Sequence, residues 1–211
     1  DKKKSDQLHQ VIGSLASVFE KKGAVIPEAK LYSFAVEQNV LGSAAADFSE
    51  KHLLACMAIS KDLSKNIFGE VGLSTWAEVK PKGVRDKAYL VLKKENKPKH
   101  FSEIAKLINS TGFSARKANT QTVHNELIKD ARFVLVGRGM YGLSEWGYKP
   151  GTVKEVLMDI LKGSPKPIAR AELVAKVLDS RMVKENTILL NLQDSKVFSK
   201  KEDGTYILRK A

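Results

Sequence analysis

The chain has 211 residues and carries 36 Lys and Arg against 24 Asp and Glu, a net charge of +12. No stretch approaches the 18 uninterrupted apolar residues of a membrane span, and the lone cysteine, Cys56, excludes an intrachain disulfide and a cysteine-rich zinc site. A positive surplus of this size favours polyanionic partners, nucleic acid first and an anionic membrane surface second. No basic amphipathic helix with an aromatic edge stands out, so we expect no membrane partner.

The first segment, residues 1–79, has the apolar periodicity of three helices. They are predicted over residues 6–22, 28–39 and 48–60. The short runs Asn66–Gly69 and Val71–Leu73 that follow indicate a hairpin. An unrelated helical bundle over residues 1–60 is the alternative.

The sequence contains an internal repeat that spans all three segments. GLSTW at 72–76 recurs as GLSEW at 142–146, and a basic Pro/Gly turn follows each copy, KPKG at 80–83 and YKPG at 148–151. Near the C-terminus, TYILRK at 205–210 occupies the corresponding place. Self-similarity at a fixed spacing is typical of tandem modules. We therefore expect three modules, over residues 1–79, 80–148 and 149–211.

The middle module begins with helical spacing of apolar residues from Val84 to Leu92, and Pro98 ends this helix. Ser102 is expected to cap a second helix, and Thr111–Phe113 is its stop signal. Either Asn119 or Thr120 caps a third helix. The residues expected to point inward from it are Val123, Leu127 and Ile128.

Two β-type runs follow, Phe133–Val136 and Met140–Leu143, around the turn Gly137-Arg138-Gly139. The third module repeats this order of elements. Its helices are predicted over 152–162, 170–180 and 185–194, and its hairpin joins Val197-Phe198 to Tyr206–Leu208. Three helices followed by a hairpin is the winged helix-turn-helix order. The expected fold is therefore mainly α with small β-hairpins (α+β), as three tandem winged helix-turn-helix modules. Trp76 and Trp146 occupy equivalent repeat positions, for which a packing role is expected.

The stretch from Lys82 to Trp146 resembles the HARE-type helix-turn-helix domain, through VRDKAYLVLKKENKPKHFSEIAKLIN and NTQTVHNELIKDARFVLVGRGMYGLSEWG. That domain is similar to the folded part of the delta subunit of bacterial RNA polymerase. It also occurs in sigma-factor-like bacterial proteins and is fused to certain chromatin proteins and restriction endonucleases. The resemblance covers about a third of the chain. It implies a winged-helix fold and a role in transcription or DNA recognition, in a bacterial cytoplasm and near the nucleoid, but no reaction.

The positive surplus is concentrated in the middle module, which has 14 Lys and Arg against 6 Asp and Glu. The third module has a net charge of +5 and the first a net charge of −1. Solvated surface charge is the simpler explanation, but a +8 module on a DNA-reading scaffold favours phosphate contact.

In a helix-turn-helix the outer face of the third helix enters the major groove. Gln and Asn on such a face can pair bidentately with adenine, and Thr can contact a base or a phosphate. An Arg between two glycines of a hairpin turn, as Arg138 is, suits insertion into a minor groove. The expected DNA-binding residues are Arg116, Lys117, Gln121, Thr122, Asn125, Lys129, Arg132 and Arg138.

The equivalent faces of the other modules differ in chemistry. In the third module Leu190 and Asp194 make base readout in a DNA groove less favourable, although Lys184, Lys200 and Lys201 can still contact the DNA backbone. In the first module the outward residues are Lys51, His52, Ala55 and Ile59, a more apolar face that suits protein contact.

The sequence has no Walker motif, GxSxG, HExxH or paired-carboxylate spacing of the kind that catalysis requires. His52 and Cys56 lie four residues apart without further ligands nearby, which favours a buried structural cysteine. We expect no catalytic residue, no metal and no cofactor.

The leading hypothesis is a non-enzymatic protein that binds double-stranded DNA and acts in transcription, as a sigma-like or RNA polymerase accessory factor. Its expected partners are double-stranded DNA and RNA polymerase or another transcription protein. One alternative is a protein-interaction scaffold of tandem winged helices. The other is the DNA-targeting part of a nuclease or modification enzyme.

Overall fold

The computed structural model describes residues 2–42 and 48–209, which form an α+β fold with three small, three-stranded antiparallel sheets. The chain divides into two compact units, Asp1–Asp86 and Lys87–Ala211. The first unit contains one sheet and the second contains two. The division into three modules stays a prediction. Among the described residues, no helix is both long enough and apolar enough to cross a bilayer.

The first unit is built from three helices and a sheet. Its elements are α1 (Lys2–Lys22), β1 (Ile26–Pro27), α2 (Leu31–Glu37), α3 (Glu50–Ile59), β2 (Leu63–Lys65) and β3 (Glu70–Leu73). The ring of Phe19 on α1 is fully buried and lies between Phe34 and Trp76, at centroid distances of 5.6 and 6.2 Å. Ser49 caps α3 in a reciprocal box with His52.

The run Asn66–Gly69, expected as a strand, is instead the turn between β2 and β3, so that expectation was wrong. The physical reason is the side chain of Asn66, whose Oδ1 accepts from the backbone N–H groups of Phe68 and Glu70. Its Nδ2 donates to the Glu70 carboxylate and to the Glu78 carbonyl. An Asn that satisfies its neighbours' backbone in this way favours a turn over a strand.

Helix α4 (Val84–Glu95) begins at the end of the first unit and lies mostly in the second, which contains two further sheets. The elements around the first of these are β4 (Lys99–His100), α5 (Phe101–Thr111), α6 (Thr120–Lys129), β5 (Phe133–Gly137) and β6 (Met140–Leu143). The elements around the second are α7 (Val153–Lys162), β7 (Ile168–Ala169), α8 (Arg170–Ser180), α9 (Glu185–Leu192), β8 (Phe198–Lys200) and β9 (Thr205–Leu208).

The cap of α5 differs from the expectation. His100, and not Ser102, is the N-cap, and its imidazole accepts from the Ser102 backbone N–H while Glu103 reaches back to the His100 N–H. Ser102 therefore lies in the first turn of the helix. The predicted stop holds, since α5 ends at Thr111 with Gly112 as its C-cap.

All three sheets have the same strand order and, apart from a register shift between Leu135 and Gly137 in β5, the same register. The last strand lies in the middle of each sheet, paired with the hairpin strand on one side and with a two-residue strand on the other. The buried residues Val71, Tyr141 and Tyr206 occupy one position, each paired with both neighbours. The short strands β1, β4 and β7 were not predicted, because each is only two residues long and contains or follows a proline, which leaves no readable alternation.

The glycines of the two GLS repeats make room for aromatic rings. A Cβ on Gly72 would lie 2.9 Å from the Trp76 ring, and a Cβ on Gly142 would lie 2.8 Å from the Tyr148 ring. Trp146 contacts Tyr148 edge to face at 6.3 Å. The two tryptophans are therefore equivalent in sequence but not in packing, since Tyr148 takes in the second repeat the place that Trp76 has in the first.

Candidate nucleic-acid interface

Helix α6 presents a polar face to solvent. The Asn119 side chain caps it by accepting from the N–H groups of Gln121 and Thr122 at 2.8 and 3.3 Å. Val123 and Leu127 are buried, which fixes the rotation of the helix. The expected outward residues are all exposed, namely Gln121, Thr122, Asn125 and Lys129.

Ile128, which was expected to point inward, is 63% exposed, so that expectation was wrong. At about 100° per residue, position 128 lies roughly 140° around the helix from Val123 and 100° from Leu127. It therefore adds one apolar side chain beside the polar face.

Two side-chain pairs organise this face. The Gln121 amide donates to the Asn125 carbonyl oxygen at 3.0 Å, one helical turn apart. The Lys129 ammonium lies 3.7 Å from the Glu126 carboxylate, a long and exposed ion pair. Exposed pairs of this kind are weak, so a stronger partner such as a base edge or a phosphate can replace them.

The loop leading into α6 is held in place by side chains. The amide of Asn109 on α5 donates to the Ala118 carbonyl at 3.1 Å and accepts from the Ala118 N–H at 2.7 Å. Arg116 and Lys117 lie in this loop, exposed. Across residues 2–42 and 48–209, neither has an acidic side chain within 4.0 Å. Two unneutralised cations thus precede the polar face.

Arg132 is placed differently from the other predicted residues. Its guanidinium pairs with the Asp130 carboxylate at 2.6 Å and lies over the rings of Tyr89 and Phe133, at 5.3 and 5.9 Å. Asp130, Tyr89 and Phe133 belong to three different parts of this fold. Arg132 therefore joins the end of α6 to β5 and to α4.

The β5–β6 turn carries Arg138 and is attached to the start of α5. Gly139 has φ +71°, and a Cβ there would lie 2.5 Å from the His100 imidazole, so only glycine fits. The Phe101 N–H donates to the Gly139 carbonyl at 3.0 Å. Arg138 itself is exposed, and no acidic group in the described part of the chain pairs with it.

A row of rings connects this turn to α6. His100 and Phe101 lie 4.3 Å apart, Phe101 stacks on His124 of α6 at 4.2 Å, and His124 meets Tyr141 edge to face at 5.9 Å. Burial raises the pKa of Tyr141. The rings fix the position of the turn relative to the polar face.

Arg181 is a residue that the sequence analysis missed. It is only 5% exposed, and its guanidinium donates to the backbone carbonyls of Leu135 on β5 and Gly151. Desolvation lowers its pKa, which the charge of Glu155 partly offsets. The next residue, Met182, donates its backbone N–H to the Val136 carbonyl at 2.9 Å. Nothing in the sequence distinguishes this arginine from the other cations.

The expected apolar face of the first unit is also present. Lys51, His52, Ala55 and Ile59 on α3 are exposed, and Ile59 is 68% exposed. A groove of about 670 Å³ lies beside it, lined by Gln7, Leu8, Phe48, His52, Ala55, Cys56 and Ile59. Cys56 is buried, as predicted, and burial raises the pKa of its thiol. Within the described ranges, no three His, Cys, Asp or Glu side chains are grouped to hold a metal ion.

Comparison with known proteins gives no match: no protein-family model, no curated protein and no solved structure is significantly similar to the chain.

Proposed function

We propose that residues 80–148 form a winged helix-turn-helix that binds double-stranded DNA without catalysing a reaction. In this proposal α6 enters the major groove, Arg116 and Lys117 contact phosphates, and Arg138 contacts a phosphate at the edge of the adjacent minor groove. Arg132, paired with Asp130, positions the end of α6, and its predicted contact with DNA stays a prediction.

The order of elements supports this assignment. From α4 to β6 the chain forms a helix, a short strand, two helices and a hairpin. The short strand β4 pairs with β6, the last strand of the hairpin. This order is the one expected of a winged helix, and the same order around the other two sheets supports three such modules.

The observation that carries the proposal is the polar face of α6, Gln121, Thr122, Asn125 and Lys129, directly after two unpaired cations. Two Asn109 hydrogen bonds hold Ala118, between these cations and the cap of α6, against α5. A rigid polar face next to phosphate-binding cations is what base readout requires.

Fluorescence anisotropy with a pool of random duplexes at low salt tests this proposal. The wild type should bind the pool, and on the duplex selected from it for tightest binding Gln121→Ala and Asn125→Ala should each reduce the affinity by about 5- to 100-fold. Gln10→Ala is the matched control, since Gln10 is exposed on α1 of the nearly neutral first module. Equal binding by all four proteins would overturn the assignment of α6.

We further propose a role in transcription, as a sigma-like or RNA polymerase accessory factor, on the resemblance of Lys82–Trp146 to the HARE-type domain. Gel filtration of the chain with bacterial core RNA polymerase tests it. Co-elution supports the accessory role, whereas separate elution removes that role and leaves DNA binding standing.

A second candidate function, protein interaction through the first unit, is favoured by the exposed Ile59 and the groove beside it. It predicts that the chain without residues 1–79 binds DNA as tightly as the whole chain but loses its protein partner. A loss of DNA affinity on this deletion would argue against it.

A further inference from the structure

We propose that the middle and third modules contact one duplex together, through a phosphate-binding pair made of Arg138 and Lys184. The inference rests on the proposed function of the middle module. It adds a second module to the interface and names the residues through which that module enters it.

The starting point is the free edge of β5. In the sheet β4-β6-β5 this strand is paired on one side only. The segment after α8 covers its other side, through the Met182 N–H on the Val136 carbonyl and the Arg181 guanidinium on the Leu135 carbonyl. An exposed strand edge is a liability, and this contact removes it.

The two segments run in the same direction. The amide nitrogen of Met182 meets residue 136, and its carbonyl oxygen, further along the chain, lies 2.6 Å from where a Cβ on Gly137 would be. Arg138 follows Gly137 directly in the chain, and Lys184 lies two residues after Met182. At about 3.8 Å per residue, the Cα atom of Arg138 lies within about 4 Å of the Gly137 Cα, and the Cα atom of Lys184 lies within roughly 8 Å of the Met182 Cα.

Both cations are available to an anion. Arg138 and Lys184 are exposed, and neither pairs with an acid in the part of the chain that the structure describes. The Glu185 carboxylate follows Lys184 in the first turn of α9 and already interacts with the positive end of the helix dipole. The site therefore depends on the two side-chain charges and not on the helix dipole.

Duplex DNA is the partner that two exposed cations on neighbouring segments fit. Consecutive phosphates of one strand are separated by several ångströms, and each accepts a single point charge. Arg138 from the hairpin turn and Lys184 from the start of α9 would hold neighbouring phosphates next to the groove that α6 reads. The buried contact of Arg181 fixes the segment that leads to Lys184 against the strand that leads to Arg138.

The test measures the affinity and the salt dependence of the full chain for one 30-base-pair duplex. Arg138→Ala and Lys184→Ala should each weaken binding roughly 3- to 10-fold and reduce the slope of log K against log salt by about 0.9. Lys162→Ala, an exposed cation at the end of α7, is the matched control and should change neither quantity.

A second variant tests the docking itself. Gly137→Ala places a methyl group against the Met182 carbonyl and should separate the two segments. In that background Lys184→Ala should have no further effect on affinity.

The outcomes separate the two proposals. If the wild type fails to bind duplex DNA, the proposed function fails and this inference fails with it. If the wild type binds and Arg138→Ala weakens binding but Lys184→Ala behaves like Lys162→Ala, the shared site is wrong and the function of the middle module stands. An undiminished effect of Lys184→Ala in the Gly137→Ala background also overturns the shared site.

Discussion

Phe101, the first residue of α5, stacks on His124 of α6 with ring centroids 4.2 Å apart and planes inclined by 19°. Phe101 also donates its N–H to Gly139 in the β5–β6 turn. One residue thus joins the polar helix face to the turn that carries Arg138, the two parts that the proposed function assigns to DNA.

Phe101→Ala should therefore weaken both stability and DNA binding. The ring is partly exposed, so we expect a loss of about 1–2 kcal/mol, below the ~3–5 kcal/mol typical of a fully buried Phe. Urea unfolding gives the stability change, and anisotropy gives the affinity. Phe101→Tyr keeps the ring and is the control. A variant that loses stability but binds DNA unchanged would show that the stack has no part in the interface.

Gly142→Ala should destabilise the second unit by about 1–3 kcal/mol, because the new methyl would lie 2.8 Å from the Tyr148 ring. Gly83→Ala is the control: a Cβ there meets no atom within 4 Å, so only the loss of glycine before α4 counts, which should cost about 1 kcal/mol or less and should not change with Tyr148→Ala. Adding Tyr148→Ala to Gly142→Ala should cost less than the sum of the two single changes. Strict additivity in urea unfolding would contradict the account of this glycine.

Arg181→Ala should destabilise the second unit by about 2–4 kcal/mol, because it leaves the carbonyls of Leu135 and Gly151 without their charged donor. It should also accelerate hydrogen exchange at the Met182 amide, which donates to Val136. Arg181→Lys keeps the charge but carries its N–H donors on a single nitrogen, which cannot reach both carbonyls as the two guanidinium nitrogens do, so we expect an intermediate effect. Unchanged exchange at Met182 in Arg181→Ala would contradict the described docking.

The ion pair between Lys154 on α7 and Asp194 after α9, with an N–O distance of 2.5 Å, makes stability depend on pH. The hydrogen bond from Lys154 is the main cause of the lowered pKa of Asp194. Because the Asp194 pKa is lower in the folded state, its carboxylate stabilises the fold at pH values above the pKa of the unfolded chain, near 3.8. This stabilisation is lost as the pH falls through the lowered pKa of the folded state.

Asp194→Asn should therefore be less stable than the wild type at pH 7, and the difference should shrink below about pH 3. Asp159→Asn, an exposed position on α7, is the control. Equal destabilisation by Asp194→Asn at both pH values would mean that the carboxylate charge is not the cause.

Much of this architecture follows from local sequence. Helix α8 has the predicted bounds, 170–180, and the bounds of α7 and α9 lie within two residues of the predicted ones. The spacing of the apolar residues in these segments determines both that a helix forms and which of its faces is buried. Asn119 as the cap of α6 could likewise be predicted, since Asn is among the best N-cap residues and the helical spacing begins directly after it.

The remaining features depend on contacts between distant residues. The strands β1, β4 and β7 are two residues long, and only their pairing with the last strand of each sheet defines them. The burial of Arg181 depends on carbonyls 46 and 30 residues away in sequence. The exposed faces of α3 and α6 were predictable, whereas the ion pair of Arg132 with Asp130 was not, because a side chain two residues away has several reachable orientations.

The salt dependence of duplex binding by the whole chain tests the central claim most directly. Arg116, Lys117, Arg138 and Lys184, each on one phosphate, predict a slope of log K against log salt of about −3 to −4. Replacing Arg116 and Lys117 by Ala should reduce the magnitude of that slope by about 2. An affinity that does not change between low and physiological salt, or no binding to duplex DNA at low salt, would contradict the account.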